Sequence, residues 1–203
     1  PDYNIPPGVD IWAVRTPDSS DEAEVAQLRW GLVPHWAKDP KIGNRMINAR
    51  SETAAEKPAF RTAFRKRRCL IPADGFFEWK RNGKSKTPYF IHLQDKQPFA
   101  MAGLWERWTS PDGSELDSCT ILTISPNSLM QELHDRMPVI LSNENIHSWL
   151  NKNTPLEELH RLTAAFPAEK MKAYPVSPLV NSPRNNGPEC LELQETLQQE
   201  ELF

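Results

Sequence analysis

Nineteen of the 203 residues are prolines. Proline lacks a backbone N–H and fixes its own φ, so it avoids helix interiors and central strand positions and collects at edges and turns. At this density the chain is expected to fold as strands and tight loops rather than as a helix bundle. Hydrophobic residues make up 38% and include seven tryptophans, enough for one sizeable core. No apolar run reaches the roughly 18 residues that a membrane helix needs, and the first residues lack a signal-peptide pattern. The sequence opens at Pro1 rather than at a methionine, so further residues are expected before it.

The order of elements follows from periodicity and turn residues. Strands are expected at Val9 to Val14 and Gln27 to Val33, with a polar loop from Pro17 to Glu24 between them. Met46 to Arg50 reads as short and extended, followed by a helical stretch from Ser51, its N-cap, through Phe64, interrupted at Pro58. A β-meander comes next: Cys69 to Ile71, Gly75 to Lys80, a hairpin at Asn82-Gly83, Tyr89 to Leu93, Pro98 to Trp108, and Ser118 to Ile124. Pro126 is placed to start a short helix ending at Leu133. Val139 to Leu141 is extended, Asn143 to Leu150 and Pro155 to Ala165 are helical, and Tyr174 to Val180 is a last strand. The sum is a single α+β domain, an antiparallel barrel-like sheet flanked by short helices, over residues 1–190. Residues 191–203 read as a polar tail.

Charge is segregated. The net charge is −3, yet Lys57 to Lys86 carries ten basic residues against Asp74 and Glu78. Acidic residues gather at Asp18 to Glu24 and from Glu189 to Glu201. A basic segment can bind phosphates in a protein that is acidic overall, or it can simply be a solvated face. The three cysteines, Cys69, Cys119 and Cys190, are far apart, with no Cys-x-x-Cys or Cys/His cluster. Neither a disulfide framework nor a metal site is expected; a reducing compartment is. Cys69 and Cys119 read as small buried hydrophobes.

Two segments carry chemistry. In Gly75-Phe76-Phe77-Glu78-Trp79-Lys80 a carboxylate sits on a strand among bulky aromatics. Partial desolvation disfavours its charged form and makes Glu78 a candidate acid/base. Phe76 and Lys80 share its face, while Phe77 and Trp79 face the other way. The alternative is an ion pair with Lys80 or Arg81. In His134-Asp135-Arg136-Met137-Pro138 an imidazole lies at a helix-to-strand junction. A tuned Glu with a His suits stepwise proton transfer; a structural or merely exposed His134 is the plainer alternative. Asn48-Ala49-Arg50 offers an amide that both donates and accepts, and a guanidinium fork suited to phosphate. A turn Asn with a salt-bridged Arg would give the same pattern. Trp36, after Pro34-His35, is a core residue or a stacking platform for a base.

Five blocks in order resemble one family: Tyr3-Asn4-Ile5-Pro6-Pro7-Gly8, Arg29-Trp30-Gly31-Leu32-Val33-Pro34-His35-Trp36, Ile47-Asn48-Ala49-Arg50-Ser51-Glu52-Thr53, Cys69-Leu70-Ile71-Pro72-Ala73-Asp74-Gly75-Phe76-Phe77-Glu78-Trp79, and His134-Asp135-Arg136-Met137-Pro138. Together they are similar to the SOS response-associated peptidase (SRAP) family, over nearly the whole chain to about Leu193. The resemblance implies a DNA-damage-response protein that acts on abasic sites in single-stranded DNA and shields them in a covalent crosslink. It implies an N-terminal cysteine, exposed by methionine removal, whose amine and thiol close a thiazolidine ring on the sugar aldehyde. By the same resemblance Glu78 is the acid/base, His134 assists proton transfer and reversal, and Asn48 holds the N-terminal amine. Arg50 grips a phosphate, Trp36 and the loop with Asn4 and Pro7 shape the DNA path, and Arg65, Arg67 and Arg68 meet the backbone.

The family pattern begins Met-Cys-Gly-Arg some tens of residues before the Tyr-Asn block, which here starts at Tyr3, so that cysteine is expected upstream of Pro1. No cofactor, metal or membrane is implied. A monomer is expected, cytoplasmic and nucleoid-associated in a bacterium or nuclear in a eukaryote. Two other readings stay open: a thiol (auto)peptidase with hydrolase activity, and a single-stranded DNA-binding module without chemistry.

Overall fold

A computed structural model describes residues 1–194. In chain order the strands are β1 (Asp10–Arg15), β2 (Glu24–Trp30), β3 (Asn48–Arg50), β4 (Arg68–Ala73), β5 (Phe76–Asn82), β6 (Ser85–Leu93), β7 (Phe99–Thr109), β8 (Glu115–Ile124), β9 (Met137–Pro138), β10 (Ile140–Leu141) and β11 (Met171–Pro175). The helices are α1 (Ser51–Ala54), α2 (Arg61–Lys66), α3 (Ser128–Gln131), α4 (Ile146–Leu150) and α5 (Leu156–Leu162). None is long and apolar enough to cross a membrane.

Five strands close into a barrel. β7 pairs with β4, β4 with β1, β1 with β2, β2 with β8, and β8 returns to β7. All these pairs are antiparallel except β2–β8. Closure leaves no free edge among these strands, which otherwise would invite pairing with another chain. Alternation along the strands sorts side chains between two cores. Ile11, Leu28, Cys69, Ile71, Met101, Trp105, Cys119 and Ile121 fill the lumen. Leu70, Ala102, Leu104 and Leu122 point outward, under Phe64 of α2, Trp149 of α4 and Leu159 of α5. A three-stranded sheet, β5–β6–β11, stands beside the barrel.

Several expectations shift. β2 stops at Trp30, because Gly31 adopts φ 139° and its backbone lies against Gly43. Ser51 is not the N-cap: Arg50 holds that position, and the Ser51 hydroxyl is buried without a partner. The stretch from Ser51 to Phe64 is two short helices, α1 and α2, with a turn around Pro58 between them. Asn127, not Pro126, starts α3, its side chain accepting the Met130 N–H. The last strand lies upstream, at Met171–Pro175, and Pro178–Asn181 is a 3-10 turn. The β5–β6 hairpin forms, but its turn lies one residue beyond the expected Asn82-Gly83: Asn82 pairs Ser85, and the two turn residues are Gly83, at the left-handed φ of 61°, and Lys84. In the expected tail, Leu193 bridges to Val176; residues 195–203 lie outside the described residues.

Candidate active site and nucleic-acid groove

The site forms at one end of β8. Thr123 there pairs with Arg50 of β3 on one edge and with Pro138 of β9 on the other. Two segments far apart in sequence, Asn48–Arg50 and His134–Pro138, are thereby held on either side of one strand. A clamp ties them. The Arg136 guanidinium donates to both carboxylate oxygens of Glu52 at 2.7 Å and to the Thr123 carbonyl at 2.6 Å. This fork-on-fork pair is the strong form of a charged hydrogen bond. Arg136 holds the Glu52 carboxyl below its usual range.

Glu78 and His134 face each other across this end. Glu78 Oε1 lies 3.8 Å from His134 Nδ1. The Glu78 side chain is 25% exposed, and its carboxyl is pushed above the ordinary value by burial, partly countered by His134. The burial has a local origin. Phe76 packs edge-on to Phe99 against the lumen core, while Phe77 and Trp79 turn to the opposite cluster around Val176 and Val180. Lys80 and Arg81 make no ion pair with Glu78. His134 is anchored where α3 ends, its N–H donating to the Met130 carbonyl. Nδ1 lies 3.2 Å from the Arg136 N–H and 3.3 Å from the Arg136 carbonyl oxygen, so it accepts from the first in one neutral tautomer and donates to the second in the other. A protonated Nδ1 instead faces two carboxylates, Glu78 and Asp135, the latter at 3.3 Å. Nδ1 is thus the ring atom that faces a carboxyl itself reluctant to ionise.

On the Arg50 side of the same end of β8 lies a groove of about 500 Å³ lined by Trp36, Asn48, Arg50, Thr53, Lys57 and Phe60, among others. Trp36 is 51% exposed, far from a core residue. Arg50 is exposed, and among the described residues no carboxylate lies within ion-pair distance of it. A free guanidinium next to an exposed indole and a primary amide can hold a phosphate and a flat base together.

The remaining expected DNA contacts separate. Pro7 and Arg65 are exposed. Arg67 is spent on Asp18 at 2.8 Å and on Glu106 at 2.7 Å. Arg68 is a correction: at 2% exposure its guanidinium donates to the carbonyls of Phe64, Arg65, Trp149 and Asn151, so it closes the ends of α2 and α4 and meets no ligand. Asn4 is another. At 9% exposure its amide donates to the carbonyls of Val180, Ser182 and Asn185, pinning the N-terminal loop to the C-terminal one. Sequence reasoning missed the Arg136–Glu52 clamp. Both residues sat in blocks singled out above, but a pairing between such distant positions leaves no local signature.

Comparison with known proteins identifies the family. The family described as SOS response associated peptidase (SRAP) matches residues 1–183. The abasic site processing protein YoqW of Bacillus subtilis is 51% identical over 194 residues, which span 95% of this chain and 86% of the relative. The abasic site processing protein HMCES of Xenopus tropicalis is 34% identical, over 94% of this chain and 64% of the relative. A crystal structure of a Bacteroides thetaiotaomicron protein superposes with a TM-score of 0.84 at 34% identity, covering 92% of this chain and 82% of that one. The family match spans nearly all of the chain, and relatives and a solved structure share its sequence and fold over most of their length, so the chain belongs to the SRAP family.

Proposed function

We propose that this protein processes abasic sites in single-stranded DNA, binding the strand in the Arg50 groove and promoting a covalent link to the lesion. The observation that carries this reading is the Glu78–His134 pair at 3.8 Å, its histidine in a segment that Thr123 of β8 ties to the edge opposite Arg50, a guanidinium with no carboxylate partner among the described residues. The names of the relatives, abasic site processing proteins, support the substrate class.

The chemistry divides between the chain's own residues and a nucleophile outside them. Arg50 holds a backbone phosphate, Asn48 orients the incoming amine, and Trp36 stacks on a neighbouring base. Glu78, favoured in its neutral form, gives a proton to the ring oxygen as the ring C–O bond breaks, and takes up the proton of the anomeric hydroxyl, which becomes the aldehyde oxygen. The amine adds to the aldehyde carbon. One N–H proton passes to the carbonyl oxygen on addition; the acid/base pair then protonates the resulting hydroxyl, which leaves as water, and takes back the second N–H proton, leaving the imine. A thiol then adds across the imine: the C–S bond forms, the thiol proton passes to nitrogen, and the ring closes. His134 holds the proton needed at each step and returns it on reversal.

Cys69, Cys119 and Cys190 do not fit the role of nucleophile or of a peptidase thiol. All three are buried, and burial pushes their thiols up, Cys119 to about 12. The amine and thiol are assigned to the N-terminal cysteine that the family resemblance implies. The test is a denaturing gel of two proteins with single-stranded DNA bearing one abasic site: residues 1–203, and the same chain preceded by a segment beginning Met-Cys-Gly-Arg. The expected result is an adduct from the extended protein alone. An adduct from residues 1–203 at the same yield, or none from either, overturns the proposal.

A further inference from the structure

Trp36 lines a second groove as well as the first. This one has a volume of about 350 Å³, and its other walls include Lys38, Asp39, Lys41, Ile42 and Arg45. Its charge is unspent. Among the described residues no carboxylate lies within ion-pair distance of Lys38, Lys41 or Arg45. The one acid of the wall is occupied: Asp39 Oδ1 accepts the Lys41 N–H at 2.8 Å and starts the 3-10 turn Pro40–Arg45. Three exposed cations against this one carboxylate leave the groove net positive, and an anionic ligand would relieve their mutual repulsion.

The groove is built rigidly. Trp108 Nε1 donates to the Ala37 carbonyl at 2.7 Å, and the Val33 N–H donates to Ser118 Oγ at 2.8 Å. Val33, Ala37 and Trp108 form a small core of their own with Ile42 against them. At the far end, Gly43 rests backbone to backbone on Gly31. The loop is thus fastened to β2, β7 and β8, and its cations are presented from a fixed frame. Preorganisation of this kind lowers the ordering cost of binding.

Resting on the reading of the first groove as the lesion site, we propose that this second groove binds the single-stranded DNA backbone on one side of the lesion, with Trp36 as the pivot between the two. A polyanion is indicated by three cations against one carboxylate. A single strand, rather than a duplex, is indicated by the indole, which offers its face to an unpaired base. Lys38, Lys41 and Arg45 then contact successive phosphates that the Arg50 groove does not reach.

The experiment needs no crosslink, so residues 1–203 suffice. Fluorescence anisotropy measures binding of single-stranded oligonucleotides carrying a stable abasic analogue. They are lengthened from about 4 to about 16 nucleotides on one side or the other of the lesion. The parent should gain affinity with length on one side. The triple variant Lys38→Ala, Lys41→Ala, Arg45→Ala should lose that gain, and its slope of log affinity against log salt should be shallower by about 2, from three lost phosphate contacts at about 0.7 each. A charge-matched triple variant, Arg161→Ala, Lys170→Ala, Lys172→Ala, should keep both. If the first variant keeps the gain and the slope, if both variants lose them equally, or if only duplex extension gives the gain, this inference fails while the lesion reading stands. If the parent binds no strand at all, both fail.

Discussion

Glu78 Oε1 and His134 Nδ1 stand 3.8 Å apart, one on β5 of the small sheet and the other in the loop after α3. That distance is too long for a hydrogen bond and short enough for each group to feel the other's charge. Burial raises the Glu78 carboxyl and His134 opposes it, so the two protonation states are linked. Such pairs tighten into contact when a ligand expels the remaining water.

Replacing Glu78 by Gln in a protein carrying the N-terminal cysteine should slow adduct formation roughly 10²–10⁴-fold, the range for general acid–base catalysis. The isosteric amide cannot shuttle a proton, so binding of the strand should be nearly unchanged. His134→Ala should slow the forward reaction less than it slows reversal. Single-turnover crosslinking, then release against excess trap DNA, gives both rates. A parent-like rate for Glu78→Gln would reduce Glu78 to a strand residue.

The same substitution has a consequence for stability. A carboxyl whose folded value is raised is favoured in its protonated form, so its contribution is full below the unfolded value and is lost as pH rises through the folded one. Gln mimics the protonated form at every pH. Glu78→Gln should therefore improve relative to the parent as pH rises from below about 4.5 toward neutrality, the unfolded carboxyl titrating near the start of that window. Urea denaturation across that range measures the difference. A gap that stays constant, or one that moves against Gln, would contradict the raised carboxyl.

Arg50→Ala should weaken single-stranded DNA binding by about 1.5–3 kcal/mol, the scale for a hydrogen bond to a charged group. Its salt slope should be shallower by about 0.7, one phosphate contact. Anisotropy over a salt series reads both, and unchanged values would remove Arg50 from the groove's function.

Arg68→Ala should act on the fold instead. It removes the guanidinium donor from the buried carbonyls of Phe64 and Trp149, and the loss should be at least about 2 kcal/mol, given about 1–3 for each unsatisfied group. Arg65→Ala, at an exposed position, should change stability by less than about 0.5 kcal/mol. Thermal or chemical unfolding separates the two, and equal effects would contradict the burial of Arg68.

Gly31→Ala should cost about 2–5 kcal/mol. The left-handed φ of 139° costs about 1–2 and forcing a methyl into packed backbone about 1–3, since its Cβ would stand 2.7 Å from the Gly43 carbonyl oxygen. Denaturation midpoints test this. A neutral result would mean that the loop from Pro34 to Arg45 is not fastened as described.

Much of this was legible from local pattern. Prolines and turn residues announced strands and short helices, Asn82-Gly83 announced the hairpin, and the aromatics around Glu78 announced a carboxyl short of water. Period-2 alternation placed Phe76 on one side and Phe77 with Trp79 on the other, where they now join different cores. The run Arg65-Lys66-Arg67-Arg68 was less informative than its charge suggested. Helix α2 ends inside it and β4 begins, so adjacent arginines point in unrelated directions: one to solvent, one to an ion-pair network, one into the core.

The sequence by itself determined the element types, the single α+β domain and the family, because these rest on local periodicity and on blocks of residues in order. Only the tertiary structure decided which distant residues meet. β8 brings Arg50 and Pro138 to its two edges, Arg136 reaches Glu52, and Glu78 comes to face His134. Such contacts depend on how the barrel closes, and closure is set by the packing of all five strands around one core rather than by any segment that could be read alone.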